Sequence, residues 1–387
     1  MIRLPNFILL IVLISILACQ SDSAVPQGLS SPVRIEIDIR DTTSYFVPKT
    51  HHFIKLESNE SSLIENIRFV KKENDRIWIL DDKRSAILTF DHEGKFLFRI
   101  ESLGKGPGEY LYLDDFDVYE DKIYLLSGYQ RKLLIFNEDG NFISERSIPE
   151  EGDFKAIEVI NPNKFIMTGG NHKEAGYDLI YITDSTFTTL NSGVPANEYG
   201  VQTALKSNGV STAVDGKTYY FTYGAGPIYA IDLVSNEISP AFVPDFGKLT
   251  FTENEVQNRT GMEVGQLYFE SKKVRNNLFY ELDDSYVMHC YFYPFQPRSS
   301  IVVINKQNQH EIQHNSLGLL VNDFLFQVEK PFSKIDHEFL VYPVESTDAT
   351  LADLASYKQG LPFGKSNNIQ DFTQSPSDNP TLLFFSP

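Results

Sequence analysis

Short apolar runs separated by polar turns fill most of the chain, and this pattern predicts β-strands. Two stretches nearly repeat each other 46 residues apart: Arg76–Leu80 returns as Lys122–Leu126, and Asp91–Phe96 returns as Asn137–Phe142. Each copy pairs short strands with a turn of acidic residues and glycine, which is typical of a hairpin. A strand-built repeat of this length matches the period of a β-propeller blade, ~40–50 residues.

The same pattern extends along the chain and predicts six blades of four antiparallel strands. Blades four and six are the least regular, because each shows three strands in sequence order. Residues 246–273 form a predicted insertion with helical character, and 348–358 form a predicted helix. The predicted strands are 65–72, 76–81, 86–91 and 95–100; 115–120, 122–127, 132–137 and 142–148; 154–160, 164–168, 178–183 and 187–190; 218–223, 228–233 and 237–243; 277–281, 286–293, 301–305 and 311–314; 321–327, 338–344 and 381–385.

The N-terminal strand Phe53–Leu56 has no blade of its own and can supply the missing strand of blade six. An open ring would expose sheet edges that can pair with other chains, so closure is expected. The sequence therefore predicts an all-β fold: a six-bladed β-propeller with four-stranded antiparallel blades over residues 33–387, its ring closed by an N-terminal strand.

The first residues have the features of an export signal. Phe7–Leu17 is a nearly unbroken apolar run after Arg3, shorter than the ~20 residues that span a bilayer. It ends in Ile16-Leu17-Ala18-Cys19, which resembles the bacterial lipobox, although an ordinary signal peptide would also fit. We therefore predict a signal peptide at 1–18, lipidation of Cys19, a flexible tether at 19–32 and an outer-membrane anchor, facing either the periplasm or the cell surface.

Several further segments carry a resemblance to a known family: Gly104–Tyr110, Phe53–Glu57, Leu63-Ile64 and the C-terminal Asp378–Phe385. Together they resemble the six-bladed β-propeller lipoproteins of Gram-negative gut-type bacteria, whose blade pattern is related to NHL-repeat propellers. The resemblance implies the fold over about residues 33–387. It implies little about chemistry, since that family is characterised chiefly by its fold.

Charge and composition narrow the classes of partner. The 387 residues carry 52 Asp and Glu against 34 Lys and Arg, a formal net charge of −18. Nucleic acids and anionic membrane surfaces select clustered cations, so neither is an expected partner. Contact with a membrane is expected through the lipid anchor alone.

Loop chemistry predicts a binding face. In a four-stranded meander, the loops between strands two and three lie at the same end of the ring as the connectors between blades; we call this end the connector face. The opposite end, with the turns between strands one and two and between three and four, is the turn face. Tyr and Arg offer large, stiff contact area for glycans, peptides or partner proteins. The candidate ligand-binding residues on the connector face are Arg84, Tyr129, Arg131, His172, Tyr223, Tyr293 and Arg298.

An enzymatic alternative places a Ca²⁺ site at the channel. Asn66, Asp115, Asn277 and Asp323 lie at predicted starts of inner strands, where their oxygens could ring the axis. Such ligands suit Ca²⁺, and calcium-assisted lactone hydrolysis occurs in some six-bladed propellers, which is an analogy of fold alone. Polar groups that simply face channel water explain the pattern equally well. The sequence assigns no catalytic residue, and a binding or scaffold module without a cofactor is the preferred prediction.

Overall fold

A computed structural model describes the domain in the ranges 32–37, 46–149, 154–169, 178–195, 210–214, 216–221, 226–252, 273–292, 298–308, 312–315, 319–321, 324–326, 333–336, 338–344 and 378–387, with isolated residues between 255 and 271. By internal contacts the chain divides into Met1–Ser31 and Pro32–Pro387. The predicted signal peptide and most of the tether lie outside the described residues.

Six antiparallel sheets of four blade strands confirm the predicted propeller. Two strands precede the first complete blade, β1 (Val33–Glu36) and β2 (Thr50–Lys55). Blades one to three are β3–β6 (Ile67–Glu73, Arg76–Asp81, Ala86–Asp91, Phe96–Ile100), β7–β10 (Asp115–Tyr119, Lys122–Ser127, Lys132–Asn137, Phe142–Ser147) and β11–β14 (Phe154–Asn161, Lys164–Gly169, Asp178–Asp184, Thr189–Pro195). Blades four and five are β15–β18 (Val210–Val214, Lys217–Phe221, Ile228–Asp232, Ile238–Asp245) and β19–β22 (Val274–Glu281, Ser285–Phe292, Arg298–Asn305, Ile312–Asn315).

Blade six closes the ring as predicted. Its strands run in the order β2, β27 (Thr381–Ser386), β26 (Leu340–Val344) and β25 (Ser333–Lys334), from rim to axis. Phe53 lies opposite Leu383 and Ile54 opposite Leu382 in the antiparallel pairing of β2 with β27. Every residue of β27 is buried. The N-terminal strand therefore covers an apolar strand that would otherwise form an open edge.

Two details of the predicted blades were wrong. The segment Val321–Gln327 is not the inner strand of blade six; a separate ladder pairs β23 (Leu319–Val321) with β24 (Phe324–Phe326), and the short β25 takes the inner position. Apolar alternation shows that a segment is extended but not which strand it pairs with. In blade four, β15 supplies the inner strand that sequence patterning missed, and β1 adds a parallel fifth strand beside β18.

A side-chain turn recurs at the same place in five blades. The last residue of strand three is Asp or Asn, and its Oδ1 accepts a hydrogen bond from the backbone N–H two residues later. These turns let a short polar side chain replace a backbone partner. The donors to Asp91, Asn137, Asp184, Asp232 and Asn305 are 2.8–3.2 Å away. Gly94 and Gly140 follow in the first two turns with φ of 88° and 80°, which suits glycine.

The core lies between neighbouring blades. Phe69 of blade one stacks on Phe116 of blade two with ring centroids 5.2 Å apart. At the closing joint, Leu382 and Phe384 of β27 share a buried cluster with Ile77 of blade one. Burying such side chains contributes about 1.5–3 kcal/mol each, so every blade is stabilised by both neighbours.

Helical geometry is confined to small parts of the described chain. Gly247–Leu249 forms a 3-10 turn, and described residues between 255 and 271 adopt helical geometry at several positions, in agreement with the predicted insertion. The predicted helix 348–358 lies outside the described residues. No helix found in the described ranges is long and apolar enough to span a membrane.

Candidate functional site at the propeller axis

The inner strands leave backbone groups on an edge that faces the axis, and side chains from neighbouring blades satisfy several of them. Asp115 Oδ2 of blade two accepts a 2.8 Å hydrogen bond from the backbone N–H of Ile157 in blade three. Asp117 Oδ2, also of blade two, accepts a 2.6 Å hydrogen bond from the backbone N–H of Val159, which lies in the same strand of blade three as Ile157. An exposed edge strand is a pairing hazard. These carboxylates therefore have a structural role at the joint between blades two and three.

The closing joint between blades six and one uses a hydroxyl for the same purpose. Ser333 Oγ of β25 accepts a 3.0 Å hydrogen bond from the backbone N–H of Val70 in β3. The acceptor is uncharged, unlike the two carboxylates at the joint between blades two and three.

A lysine lies among these carboxylates. Lys71 Nζ is 2.5 Å from Asp117 Oδ1 and 3.7 Å from Glu158 Oε2. Burial disfavours the charged ammonium, but the carboxylates of Asp117 and Glu158 outweigh this effect and raise the pKa of Lys71. Lys71 therefore stays charged and links blades one, two and three electrostatically.

Other axial groups have pKa values displaced toward neutrality. Burial raises the pKa of Asp115 to about 7, against the attraction of Lys71. Burial, followed by repulsion from Asp117, also raises the pKa of Glu158. Burial lowers the pKa of Lys334 to about 8, although nearby carboxylates oppose this shift. Displaced pKa values of this kind are common at functional sites and at buried ion-pair networks alike.

Two pockets with shared wall residues lie beside these groups. The inner chamber has a volume of about 40 Å³ and is bordered by Lys71, Asp115, Glu158, Tyr280, Ser333 and Lys334, among others. The outer chamber has a volume of about 520 Å³. Lys71, Glu158 and Lys334 line both chambers. The outer chamber's other charged wall residues are Lys72, Glu73, Asp117 and Glu120.

The outer chamber opens on the turn face. Its wall includes Asn74 and Glu120, which lie in the turns between strands one and two of the first two blades, and Ile335, which follows β25. Leu233, from the turn between strands three and four of blade four, completes this rim. The volume falls within the ~300–1,000 Å³ of small-molecule sites. The described pocket is therefore at the opposite end of the ring from the predicted binding face.

The predicted connector-face residues are only partly described. Arg84 Nε is 3.1 Å from Glu65 Oε1 in the same blade, and Tyr129 is 77% exposed. Arg131 lies in the turn immediately before β9, with φ of 53°. Arg298 begins β21, and its side chain lies outside the described residues, as do His172, Tyr223 and Tyr293 altogether. The connector-face site stays a prediction.

The four residues of the calcium alternative are not brought into one described cluster. Asn66 Nδ2 donates a 2.6 Å hydrogen bond to Asp82 Oδ1, while both Asp115 oxygens accept backbone N–H groups. The side chain of Asn277 and all of Asp323 lie outside the described residues. Among the residues that the structure describes, no group of three His, Cys, Asp or Glu could hold a metal ion.

Sequence patterning overlooked Lys71, Glu158 and Lys334 as site residues. A signal was present, because Lys71 directly follows Phe69 and Val70 in β3, and Glu158 lies between Ile157 and Val159 in β11. Charged residues are rarely buried unless they are paired. A charge in the middle of an inner strand therefore indicates an axial group, but its partner blade cannot be read from the pattern.

Comparison with solved structures shows the same fold in two Bacteroides proteins. A candidate exported protein from Bacteroides fragilis NCTC 9343 is 18% identical, with a TM-score of 0.67, over 91% of this chain and 98% of that one. A DUF4221-family member from Bacteroides vulgatus ATCC 8482 is 12% identical, with a TM-score of 0.54, over 88% and 96%. These identities support the fold alone.

No curated protein matches the chain significantly. A family model described as "Domain of unknown function (DUF4934)" matches residues 41–386, which is nearly the whole propeller. The chain therefore belongs to the DUF4934 family.

Proposed function

We propose that this protein is an exported, lipid-anchored binding module that recognises a glycan, a peptide or a partner protein in the bacterial envelope. The apolar N-terminal run that ends at Cys19 supports export and lipidation. The similar Bacteroides fragilis protein is itself a candidate exported protein. The firm membrane attachment would come from several acyl chains, because one chain binds only marginally.

The inner and outer chambers, together called the axial pocket, give the main support for the binding proposal. The outer chamber combines a volume of about 520 Å³ with charged side chains of both signs. Hydrogen bonds between blades join wall residues of the outer chamber, Asp117 to Val159, and of the inner chamber, Asp115 to Ile157 and Ser333 to Val70. A preformed concave site loses little conformational entropy when a ligand binds. The proposed entry route is the turn face; the predicted connector-face residues form a second, separate surface.

Arrays of glycans and peptides test the proposal directly. The propeller, residues 33–387, would be compared with a Glu158→Gln variant of the pocket and a Tyr129→Ala variant of the connector face. Binding lost only in Glu158→Gln supports the axial pocket, whereas binding lost only in Tyr129→Ala supports the connector face instead. Absence of binding to every glycan, peptide and envelope extract would contradict the binding proposal.

The anchor has its own test. The Cys19→Ala variant of the full chain is expected to leave the membrane fraction and appear in the soluble exported fraction. Fractionation of intact cells followed by immunoblotting measures this. A variant that stays with the membranes would show that lipid on Cys19 is not the anchor.

Calorimetric titration with Ca²⁺ separates the calcium-dependent hydrolase or lyase alternative from the binding module. The binding module predicts no tight calcium binding. Tight binding that is abolished by Asp323→Ala and retained in the exposed-turn variant Asp139→Ala would favour the enzyme.

A further inference from the structure

The two axial chambers share wall residues of opposite charge, Lys71, Glu158 and Lys334. Glu158 and Lys334 both line the inner and the outer chamber, so a ligand that extends from one chamber into the other would pass beside both; this shared wall is called the junction. The side chain of Glu158 is 12% exposed, and Lys334 as a residue is 8% exposed. A ligand at this junction would meet charges that are largely removed from bulk water, where they interact more strongly.

Glu158 is the least satisfied of the axial carboxylates. Asp117 accepts from two backbone N–H groups and from Lys71, and Asp115 accepts from two backbone N–H groups. The carboxylate of Glu158 has no hydrogen-bond partner among the described residues, and its ion pair with Lys71 is long, at 3.7 Å. A buried carboxylate without donors is costly, so a ligand that donates to it gains free energy.

The balance of charge at the junction limits the ligand class. A purely cationic ligand would face Lys71 and Lys334, and a purely anionic one would face Glu158 and Asp115. A neutral sugar would cover these charges without neutralising them, at a desolvation cost. A ligand with one ammonium and one carboxylate matches both signs.

We infer, on the basis of the proposed binding function, that the axial pocket takes a small zwitterion, a free amino acid or a short peptide with free termini. Its ammonium would donate to Glu158, and its carboxylate would accept from Lys334. The inner chamber of about 40 Å³ has room for a single polar headgroup, while the outer chamber of about 520 Å³ accommodates the remainder.

Thermal-shift screening with the free standard amino acids and with dipeptides at millimolar concentration tests this inference on residues 33–387. At least one zwitterion is expected to raise the unfolding temperature. Its N-acetylated form, which lacks the ammonium, and its C-terminal amide, which lacks the carboxylate, are expected to bind at least about tenfold more weakly, because each loses a hydrogen bond to a charged group.

Two variants assign each ligand group to a side chain. Glu158→Gln should lower the affinity for the zwitterion at least about tenfold and leave the affinity for the N-acetylated form unchanged. Lys334→Met should also lower the affinity for the zwitterion at least about tenfold, and should leave the affinity for the C-terminal amide unchanged. Glu93→Gln, in an exposed turn of blade one, is the control and should bind like the wild type. Circular dichroism checks that each variant is folded.

The outcomes separate this inference from the broader proposal. If no amino acid or dipeptide binds, or if the blocked forms bind as well as the zwitterion, the inference is wrong. A neutral glycan or a blocked peptide that nevertheless binds, and loses affinity in a Leu233→Asp variant at the pocket mouth, would leave the binding proposal standing. If no ligand of any class binds, both the zwitterion inference and the binding proposal are wrong.

Discussion

Blade two and blade six are built by different means. Blade two is one continuous segment, Asp115–Ser147, whose strands are joined by tight turns. Blade six combines the N-terminal β2 with three strands from the last third of the chain. The local turns that hold blade two together have no counterpart between β2 and β27. Blade six therefore depends on contacts between residues more than 300 positions apart.

Asn379 adds several long-range hydrogen bonds at the connector-face end of this joint. Its Oδ1 accepts a 2.8 Å hydrogen bond from Ile64 N–H, and its Nδ2 donates to the carbonyl oxygens of Glu57 and Ser62 at 2.7 Å. Asn379 is 1% exposed. One buried amide therefore fastens the start of β27 to the segment that leads from β2 into blade one.

Removal of the closing strand β2 should have the largest effect on stability, because blade six depends on it and blade two does not. A chain that begins at Leu56 lacks β2, so the wholly buried β27 becomes an exposed edge. We expect a loss of more than about 4 kcal/mol in the free energy of unfolding, with aggregation, measured by circular dichroism and size-exclusion chromatography.

A chain that begins at Phe46 is the matched control, because it lacks β1 but keeps β2. It should remain folded and monomeric. Adding a peptide of residues 46–57 to the shorter chain should restore part of its stability. A shorter chain that melts at the wild-type temperature as a monomer would show that β2 is dispensable.

Asn379→Ala should have the next largest effect. It leaves the Ile64 N–H and two carbonyl oxygens unpaired, and we expect a loss of about 3 kcal/mol in denaturant unfolding. Asn141→Ala, in an exposed turn of blade two, should change stability by less than about 0.5 kcal/mol. Equal effects of the two substitutions would contradict the special role of the closing joint.

The pH dependence of stability should distinguish the two axial joints. The pKa of Asp115 is about 7 in the folded protein and ordinarily 3.8, so between these values the folded state holds a proton that the unfolded chain has lost. Raising the pH through this range therefore lowers the contribution of Asp115 to the free energy of unfolding.

Comparison of the wild type with Asp115→Asn between pH 4 and 7 measures this contribution. The stability of the wild type relative to the variant should fall by about 1 kcal/mol per pH unit. Ser333→Ala, at the uncharged closing joint, should instead cost about 1 kcal/mol at every pH. A pH-independent difference for Asp115→Asn would mean that its carboxyl titrates normally.

The smallest effect is expected in the repeated turns. Asn137→Ala removes the acceptor of hydrogen bonds from Asp139 N–H and Asn141 N–H, and should cost about 1 kcal/mol in denaturant unfolding. Asp91→Ala in blade one should cost a similar amount, and the double variant should show the sum, since the turns are in different blades. A non-additive result would indicate coupling between the blades.

Local periodicity was enough to predict most strands, including Arg76–Asp81 and Lys132–Asn137, because period-two alternation and Asp or Asn turns are properties of neighbouring residues. The closing partnership of β2 and β27 was also predictable, since a ring that lacks one strand leaves few alternatives. The two-residue β25 was not, because so short a strand has no periodicity. The axial pocket was missed for a different reason: Lys71 and Glu158 are 87 positions apart, and only the ring brings them together.

By itself, the sequence determined the all-β class, the blade period, the turns and the closure of the ring, since each follows from local alternation or from the need to cover an edge. The tertiary structure alone decided which charges meet at the axis, that Asn379 fastens the closing joint, and that the described pocket opens on the turn face. These features depend on the relative placement of separate blades. Pairing between distant side chains is fixed by packing in three dimensions, and the order of residues along one strand does not encode it.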